Sequence, residues 1–279
     1  MTVYSGQCVE VLQTLAPSSA RCCVTSPPYW GLRDYGVDGQ IGMESTPDEF
    51  VSRLVDVFAA VRRVLTDDGT LWINLGDTYY NLRTWKGGGQ IGQAFHGRKM
   101  HGQPEIGECV APNRAQRMDI PQKSLVGIPW RVALALQADG WVLRSDIIWH
   151  KPNPMPESVR DRPTKSHEYL FMFSKSQRYH WDQDAAREPL GSNARSVWSV
   201  PTQAYPGAHF AVMPERLAGR CIRAGSAIGD TVLDPFSGAG TTGVMARRLQ
   251  RDYLGIELNE EFAQMSRRRI EQDQPLFNR

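Results

Sequence analysis

"VLDPFSGAGTTGVMARRLQRDYLGIEL", residues 232–258, packs a strand, a glycine loop, a helix and a second strand into 27 positions. The β-rich "TVLD" leads into the loop "PFSGAG", "TTGVMARRLQ" reads as helix, and "YLGIEL" reads as strand. Gly238, Gly240 and Gly243 satisfy GxGxxG, and Glu257 ends the second strand at the distance expected of a ribose-binding acid. Glycines there let the backbone approach a ligand closely, and a carboxylate at a strand end can accept from both hydroxyls of a ribose. The plain alternative is a tight strand-to-helix turn with a solvent-facing Glu257. Strand, loop, helix and distal acid in this order favour a nucleoside-type cofactor.

A dinucleotide would place its pyrophosphate on the helix N-terminus. Asp234 argues otherwise, because a carboxylate at the tip of the first strand repels phosphate and favours a cationic ligand. A ligand carrying an ammonium and a sulfonium has that character, as S-adenosylmethionine does. Asp234 as a simple cap on the loop is the other reading.

Outward from this unit, helical and extended runs alternate along the chain. "CVEVLQTL" reads as a short helix and "RCCVT" as a strand. In "TPDEFVSRLVDVFAAVRRVLTDDG", Thr46 suits the N-cap, Pro47 the first helical position, and Glu49 completes a capping box. Phe50, Leu54, Val57, Val61 and Val64 recur at helical spacing, and Gly69 is expected to end that helix. Strand "TLWINLGD", helix "GIPWRVALALQADGW", strands "VLRSDIIWHK" and "HEYLFMFSK", and a helix around "PERLAGRCIRA" follow, with a polar stretch near 182–206. Such alternation implies an α/β fold, a mostly parallel twisted sheet with helices on both faces, in one domain over 1–279. Residues 79–123 break the rhythm with Gly-, Arg-, His- and Gln-rich sequence, and a loop of that length inside a compact domain is usually functional or disordered.

Composition sets outer limits. Charged residues make up 22% of the chain and hydrophobic residues 41%, ordinary values for a globular protein. No apolar stretch approaches bilayer-spanning length, and "MTVYSGQCVEVL" lacks the regions of a signal peptide, so a cytoplasmic protein is expected. The five cysteines form no CxxC pair, and adjacent Cys22 and Cys23 on a strand point to opposite faces. Buried reduced thiols are expected, and His96, His101 and His167 have no metal-ligand spacing, so no metal site is expected. A net charge of +2 does not by itself argue for nucleic acid.

The strand "RCCV" runs into "TSPPYW", residues 25–30, a rigid corner lined by rings. Together, "TSPPYW" near one end and "DPFSGAGTT" near the other resemble the amino-methylating DNA methyltransferases, and "GTLWINLGD", "GWVLRSDIIWHKPNPMP", "HEYLFMFSKS" and "HFAVMPERL" are similar to further segments of that family. The motif order resembles the circularly permuted β group. The resemblance implies a Rossmann-like methyltransferase fold, S-adenosylmethionine as cofactor and double-stranded DNA as partner. It places Ser26, Pro27, Pro28 and Tyr29 on the catalytic tetrapeptide. Asp234, Pro235, Phe236, Gly238, Gly240 and Thr241 fall on the cofactor loop, Glu257 on the ribose acid, and Phe210 in a segment that flanks the cofactor.

A nucleobase amine is a poor nucleophile because its lone pair is delocalised into the ring. The Ser26 hydroxyl oxygen and the Pro27 carbonyl are the expected acceptors for its two N–H groups. Pro28 restricts Pro27, and Tyr29 would stack on a base flipped from the duplex. The chain contains no Pro-Cys dipeptide, the nucleophile signature of cytosine carbon-5 methylases. In the family, serine at the first motif position is typical of cytosine-N4 enzymes and Asp or Asn of adenine enzymes. Cytosine N4 is therefore the expected target, with adenine N6 the alternative.

DNA contacts are expected from Arg83, Lys86, Arg98, Lys99, Arg114, Arg117 and Lys123 in the irregular insert, and from Arg160, Arg162 and Lys165. For any one of these, a solvated surface position is an equal reading, and "RRR" at 267–269 reads as a solvated helix face. A homodimer and a cognate restriction endonuclease are further partners that the resemblance suggests, in a bacterial or phage setting. A nicotinamide-dependent oxidoreductase would leave "SPPYW" unexplained. A non-catalytic DNA-binding protein would leave Ser26, Tyr29, Asp234 and Glu257 without a use.

Overall fold

The computed structural model describes residues 1–80, 119–188, 191–203 and 212–273. Along the chain run β1 (Thr2–Ser5), α1 (Cys8–Thr14), β2 (Ala20–Thr25), α2 (Pro47–Val64) and β3 (Leu65–Leu75). Then come α3 (Ile128–Ala138), β4 (Val142–His150), β5 (His167–Ser174), α4 (Gln183–Ala186) and β6 (Val197–Ser199). The last five are α5 (Glu215–Gly225), β7 (Thr231–Asp234), α6 (Thr241–Arg248), β8 (Asp252–Glu257) and α7 (Glu260–Gln272).

The strands form one sheet in the order β1-β8-β7-β2-β3-β5-β4-β6. All run parallel except β5, which is antiparallel to both neighbours. Helices α1, α2 and α3 bury their apolar sides on one face, and α5, α6 and α7 on the other. Cys23 packs with the first group and Cys22 with the second, as alternation along a strand requires. With both faces covered, β2 is buried at nearly every position. The described free cysteines, Cys8, Cys22, Cys23 and Cys221, are buried, and Cys109 lies outside the described residues. Burial pushes the Cys8 thiol up to about 11 and that of Cys22 to about 12, so neither is a nucleophile near neutrality.

The capping box that opens α2 is complete: Glu49 N donates to Thr46 Oγ1, and Thr46 N donates to Glu49 Oε2. Phe50, Leu54, Val57, Phe58, Val61 and Val64 are wholly buried. Each such side chain contributes about 1.5–3 kcal/mol by leaving water. The helix ends at Val64, five residues before the expected Gly69. Leu65 takes extended backbone and pairs with Ala20, and the ladder then resumes with Cys22 opposite Thr70. Residues 66–69 thus bulge out of the ladder. A Cβ on Gly69 would meet Thr66 O at 2.9 Å and Arg21 O at 3.1 Å, so close backbone approach, not helix termination, demands this glycine. The sequence reading also passed over β1, α4 and β6. β1 and β6 are short edge strands, fixed by one neighbour each rather than by their own propensity.

From β7 the chain crosses through α6 to β8, and from β2 it crosses through α2 on the opposite face to β3. The boundary between β7 and β2 is therefore a topological switch point, where open α/β sheets bind ligands at the C-terminal ends of their strands. The glycine loop leaves β7 there, and "SPPYW" leaves β2 beside it. The insert after β3 is closed at its base: Tyr80 N donates to Ser124 O, Lys123 N to Tyr80 O, and Val126 N to Thr78 O.

Candidate active site

At the ends of the paired strands β2 and β7, residues 209 apart in sequence meet through their side chains: Thr25 Oγ1 donates to Asp234 Oδ1 at 2.6 Å. Asp234 Oδ1 also accepts from Phe236 N at 3.0 Å, so this carboxylate does cap its loop. It is nearly inaccessible, and burial pushes its pKa up to about 6. Glu257 holds the other side of the loop, accepting from Gly238 N at 2.8 Å and Asn259 N at 3.0 Å. Burial raises its pKa too. Gly240 begins α6 in the left-handed region, and a Cβ there would sit 2.5 Å from Ser266 Oγ. The loop is thus pressed against α7 as only glycine permits.

Arg269 secures that contact. Its guanidinium donates to Ala239 O, to Thr241 Oγ1 and to Glu215 Oε1, while Arg267 donates to Val3 O and Glu260. Two of the three arginines at 267–269 are therefore partly buried ties, which corrects the reading of "RRR" as a solvated face; Arg268 alone is exposed. Thr241 is buried and turned to Arg269, Pro235 is buried, and Phe236 packs against the core beneath α1 to α3. Phe210 lies outside the described residues.

Beyond Thr25 the chain turns out of the sheet. The Tyr29 hydroxyl donates to Glu168 Oε2 at 2.7 Å and lies 3.2 Å from Asn74 Oδ1. Asn74 Nδ2 donates to Glu168 Oε2 at 3.1 Å and Tyr169 O at 3.2 Å. Both of those partners are acceptors only, so the amide must present Oδ1 to Ser26 and Tyr29. Ser26 Oγ stands 3.5 Å from that oxygen, as donor. Lys151 Nζ donates to Glu168 Oε1 at 2.5 Å and sits 4.4 Å from the centre of the Trp149 ring. One edge of Tyr29 lies on Gly76, where a Cβ would come within 2.4 Å of Cε2. Burial, with the Glu168 charge beside it, raises the Tyr29 pKa well above its ordinary value, so the phenol stays protonated.

Asn74, Gly76, Lys151 and Glu168 were not singled out in the sequence. The available signal was a polar side chain inside each of two apolar strands, "TLWINL" and "HEYLFMF". Of the expected DNA-binding residues, Arg83, Lys86, Arg98, Lys99, Arg114 and Arg117 lie outside the described residues. Arg162 pairs with Glu157 and lies 3.8 Å from the centre of the Tyr79 ring, while Lys165 donates to Asp77 O at 2.7 Å. Both therefore brace the base of the insert. Arg160 is exposed. Among the described residues no group of three or more His, Cys, Asp or Glu side chains could hold a metal ion, and no helix is long and apolar enough to cross a membrane.

The donor set suits S-adenosylmethionine. Asp234 and Glu257 put two carboxylates at the switch point, and the Arg269 guanidinium is turned to Glu215 and loop oxygens, so a pyrophosphate would meet like charge. Comparison with known proteins agrees. The sequence matches the DNA methylase family of N6/N4 methyltransferases over residues 20–268. It is 50% identical over 274 residues to the type II methyltransferase M.Cfr9I of Citrobacter freundii, covering 97% of this chain and 87% of that one. It is 49% identical over 275 residues to M.SmaI of Serratia marcescens, covering 96% and 90%. A putative DNA modification methylase from Thermus thermophilus, solved with S-adenosyl-L-methionine, superposes with a TM-score of 0.68 at 25% identity over 99% of this chain and 95% of that one. PvuII DNA methyltransferase, which is cytosine-N4-specific, shares the fold with a TM-score of 0.70 at 20% identity, covering 95% and 84%. A switch-point site built for a cationic nucleoside, on a chain matched over nearly its whole length, leads to one conclusion: the protein belongs to the N6/N4 DNA methylase family and is a type II DNA methyltransferase that uses S-adenosylmethionine.

Proposed function

We propose that this enzyme methylates the exocyclic N4 amine of cytosine in a base flipped out of double-stranded DNA. The observation that carries the proposal is the position of Ser26. Its hydroxyl stands 3.5 Å from Asn74 Oδ1, an oxygen whose direction is fixed by Glu168 and Tyr169 and which can take the one hydroxyl proton, and this leaves lone pairs for a substrate. A neutral acceptor of this kind, with the Pro27 carbonyl beside it, is sufficient for an amine already polarised by a pyrimidine ring. Pro28 holds the Pro27 carbonyl in place by restricting the residue before it. Tyr29, anchored at its hydroxyl, offers a ring for the base to stack upon. S-adenosylmethionine, when bound, supplies the electrophilic methyl group. Asp234 and Glu257 are the residues to hold its cationic and ribose ends.

DNA is expected to lie across the C-terminal edge of the sheet. The base of the 79–123 insert and the connection from β4 to β5 meet there through Arg162 on Tyr79, Lys165 on Asp77 and Lys123 on Asp161. This supports the insert as the target-recognition loop and Arg160 as a phosphate contact, since exposed cations on such a face neutralise backbone charge. The type II naming of the relatives supports a cognate restriction endonuclease for the same site.

The deciding measurement is product identity. After reaction with labelled S-adenosylmethionine and unmethylated DNA, mass spectrometry of the digest should find N4-methylcytosine. N6-methyladenine would overturn the base assignment, and transfer to RNA alone would overturn the substrate. A second expectation concerns Gly76→Ala. The added methyl must displace a ring pinned by Glu168, so transfer should fall by about 100-fold, the usual effect of misplacing a group by about 1 Å. Unchanged S-adenosylmethionine affinity in a calorimetric titration would confirm that the damage is local.

A further inference from the structure

We propose that Glu168 is a positioning residue for methyl transfer, holding Tyr29 and Asn74 in place with a carboxylate that Lys151 neutralises. The inference rests on the reading of Ser26 and Tyr29 given above. Three donors converge on this side chain: the Tyr29 hydroxyl and the Asn74 amide on Oε2, and the Lys151 ammonium on Oε1. Only a group with two acceptor oxygens and no donor satisfies all three, which is why a glutamate rather than a glutamine stands here. The ion pair is mostly interior, with side-chain exposures of 18% for Lys151 and 14% for Glu168. Pairs of this kind give little net stability, because desolvation offsets their attraction. What this pair provides is placement. Through Tyr29 it fixes the ring that stacks the base, and through Asn74 it turns the Ser26 proton away from the amine. Asn74 and Glu168 stand on strands β3 and β5, and Tyr29 and Lys151 on the segments that leave β2 and β4, so one carboxylate ties four chain segments to the reacting centre.

The test uses the full-length enzyme in single-turnover transfer at saturating DNA and S-adenosylmethionine, with the cofactor Kd and Tm measured alongside. Glu168→Gln must turn an NH2 group towards either Lys151 or the Tyr29–Asn74 pair. It is expected to slow transfer by about 100-fold with the cofactor Kd unchanged. The paired variant Glu168→Gln/Lys151→Met lets the glutamine carbonyl face Tyr29 and Asn74, and it should recover most of the rate. Such rescue would not occur if Glu168 acted as a proton acceptor or if only its charge mattered. Added to Tyr29→Phe, Glu168→Gln should cost little more, because the two changes break the same contact. An undiminished rate in Glu168→Gln overturns the proposal, as does a paired variant that keeps the wild-type Tm and stays slow. If Glu168→Gln does not fold, the paired variant decides alone. If neither folds, an undiminished rate in Tyr29→Phe overturns the proposal and a slowed one supports it. Tyr29→Ala separates the two readings: full transfer there sinks the site assignment itself, whereas a slow Tyr29→Ala beside an unaffected Glu168→Gln sinks only the role of Glu168.

Discussion

Tyr29→Ala is expected to slow methyl transfer by more than about 100-fold while leaving S-adenosylmethionine affinity nearly unchanged. The size follows from two losses at once. Base–aromatic stacking is worth about 1–3 kcal/mol per base, and removing the ring also removes what orients the amine towards Ser26. Sparing of the cofactor follows from where Tyr29 is anchored. Its hydroxyl is held by Glu168 on β5 and Asn74 on β3, and its ring lies on Gly76 just past β3. The glycine loop proposed to hold the cofactor lies on the other side of β2 and is joined to it through Thr25 and Asp234. Tyr29→Phe should fall between wild type and Tyr29→Ala, since it keeps the stacking face and loses the pin. Rapid-quench transfer rates beside calorimetric cofactor titrations provide the check. A parallel fall of rate and cofactor affinity would show that Tyr29 packs the site together rather than meeting the base.

The parts of this architecture that could be read in the sequence are those governed by local rules. Apolar recurrence at helical spacing located α2, and Thr46, Pro47 and Glu49 marked its start, because caps depend on residues three apart. Its end could not be read that way. Leu65 leaves the helix because Ala20, 45 residues earlier, offers a strand partner. The glycine loop was legible because close backbone approach excludes every side chain, and its ends are marked by strand and helix. Asp234 was harder, since a carboxylate at a strand tip can face a ligand or cap its loop. The cap is formed, and burial has made its charge costly. The network behind Tyr29 was not legible. Asn74 and Glu168 are separated by 94 residues and are neighbours only because β5 runs antiparallel beside β3. A lone polar residue in an apolar strand is visible locally, but nothing local separates a site residue from a satisfied core amide. Arg269 illustrates the same limit from the opposite direction: three consecutive arginines on a helix read as solvent-facing until α5 and the cofactor loop are folded against them.

Asp234→Asn is expected to make the fold more stable at neutral pH and to leave the enzyme with weak S-adenosylmethionine binding. The asparagine Oδ1 can still accept from Thr25 Oγ1 and Phe236 N, so the loop cap survives. What disappears is a buried charge. In the folded protein Asp234 holds its proton up to about pH 6, against 3.8 for the ordinary group, because burial penalises the carboxylate. Below pH 3.8 both states are protonated and no penalty exists. As pH rises past that value the unfolded chain ionises first, so stability falls until the folded pKa is passed. Above that point the carboxylate costs on the order of 3 kcal/mol. The Tm of Asp234→Asn should therefore exceed that of wild type by several degrees at pH 7 and match it at about pH 4. Ligand binding has the opposite sign. A cationic cofactor favours the ionised carboxylate, so wild-type affinity should increase from about pH 5 to about pH 7 as the proton is displaced. Glu257, also raised by burial, contributes to the wild-type profile, and the asparagine variant isolates its share. That variant should bind S-adenosylmethionine about 10- to 100-fold more weakly at pH 7, the loss of one charged hydrogen bond. Thermal melts and titrations across this pH range supply both halves. A variant no more stable than wild type at pH 7 would mean that the carboxylate is already solvated. Unchanged affinity would mean that Asp234 serves the loop alone. Only the two effects together, stability gained and cofactor lost over the same pH interval, mark a residue kept in a costly state for what it binds.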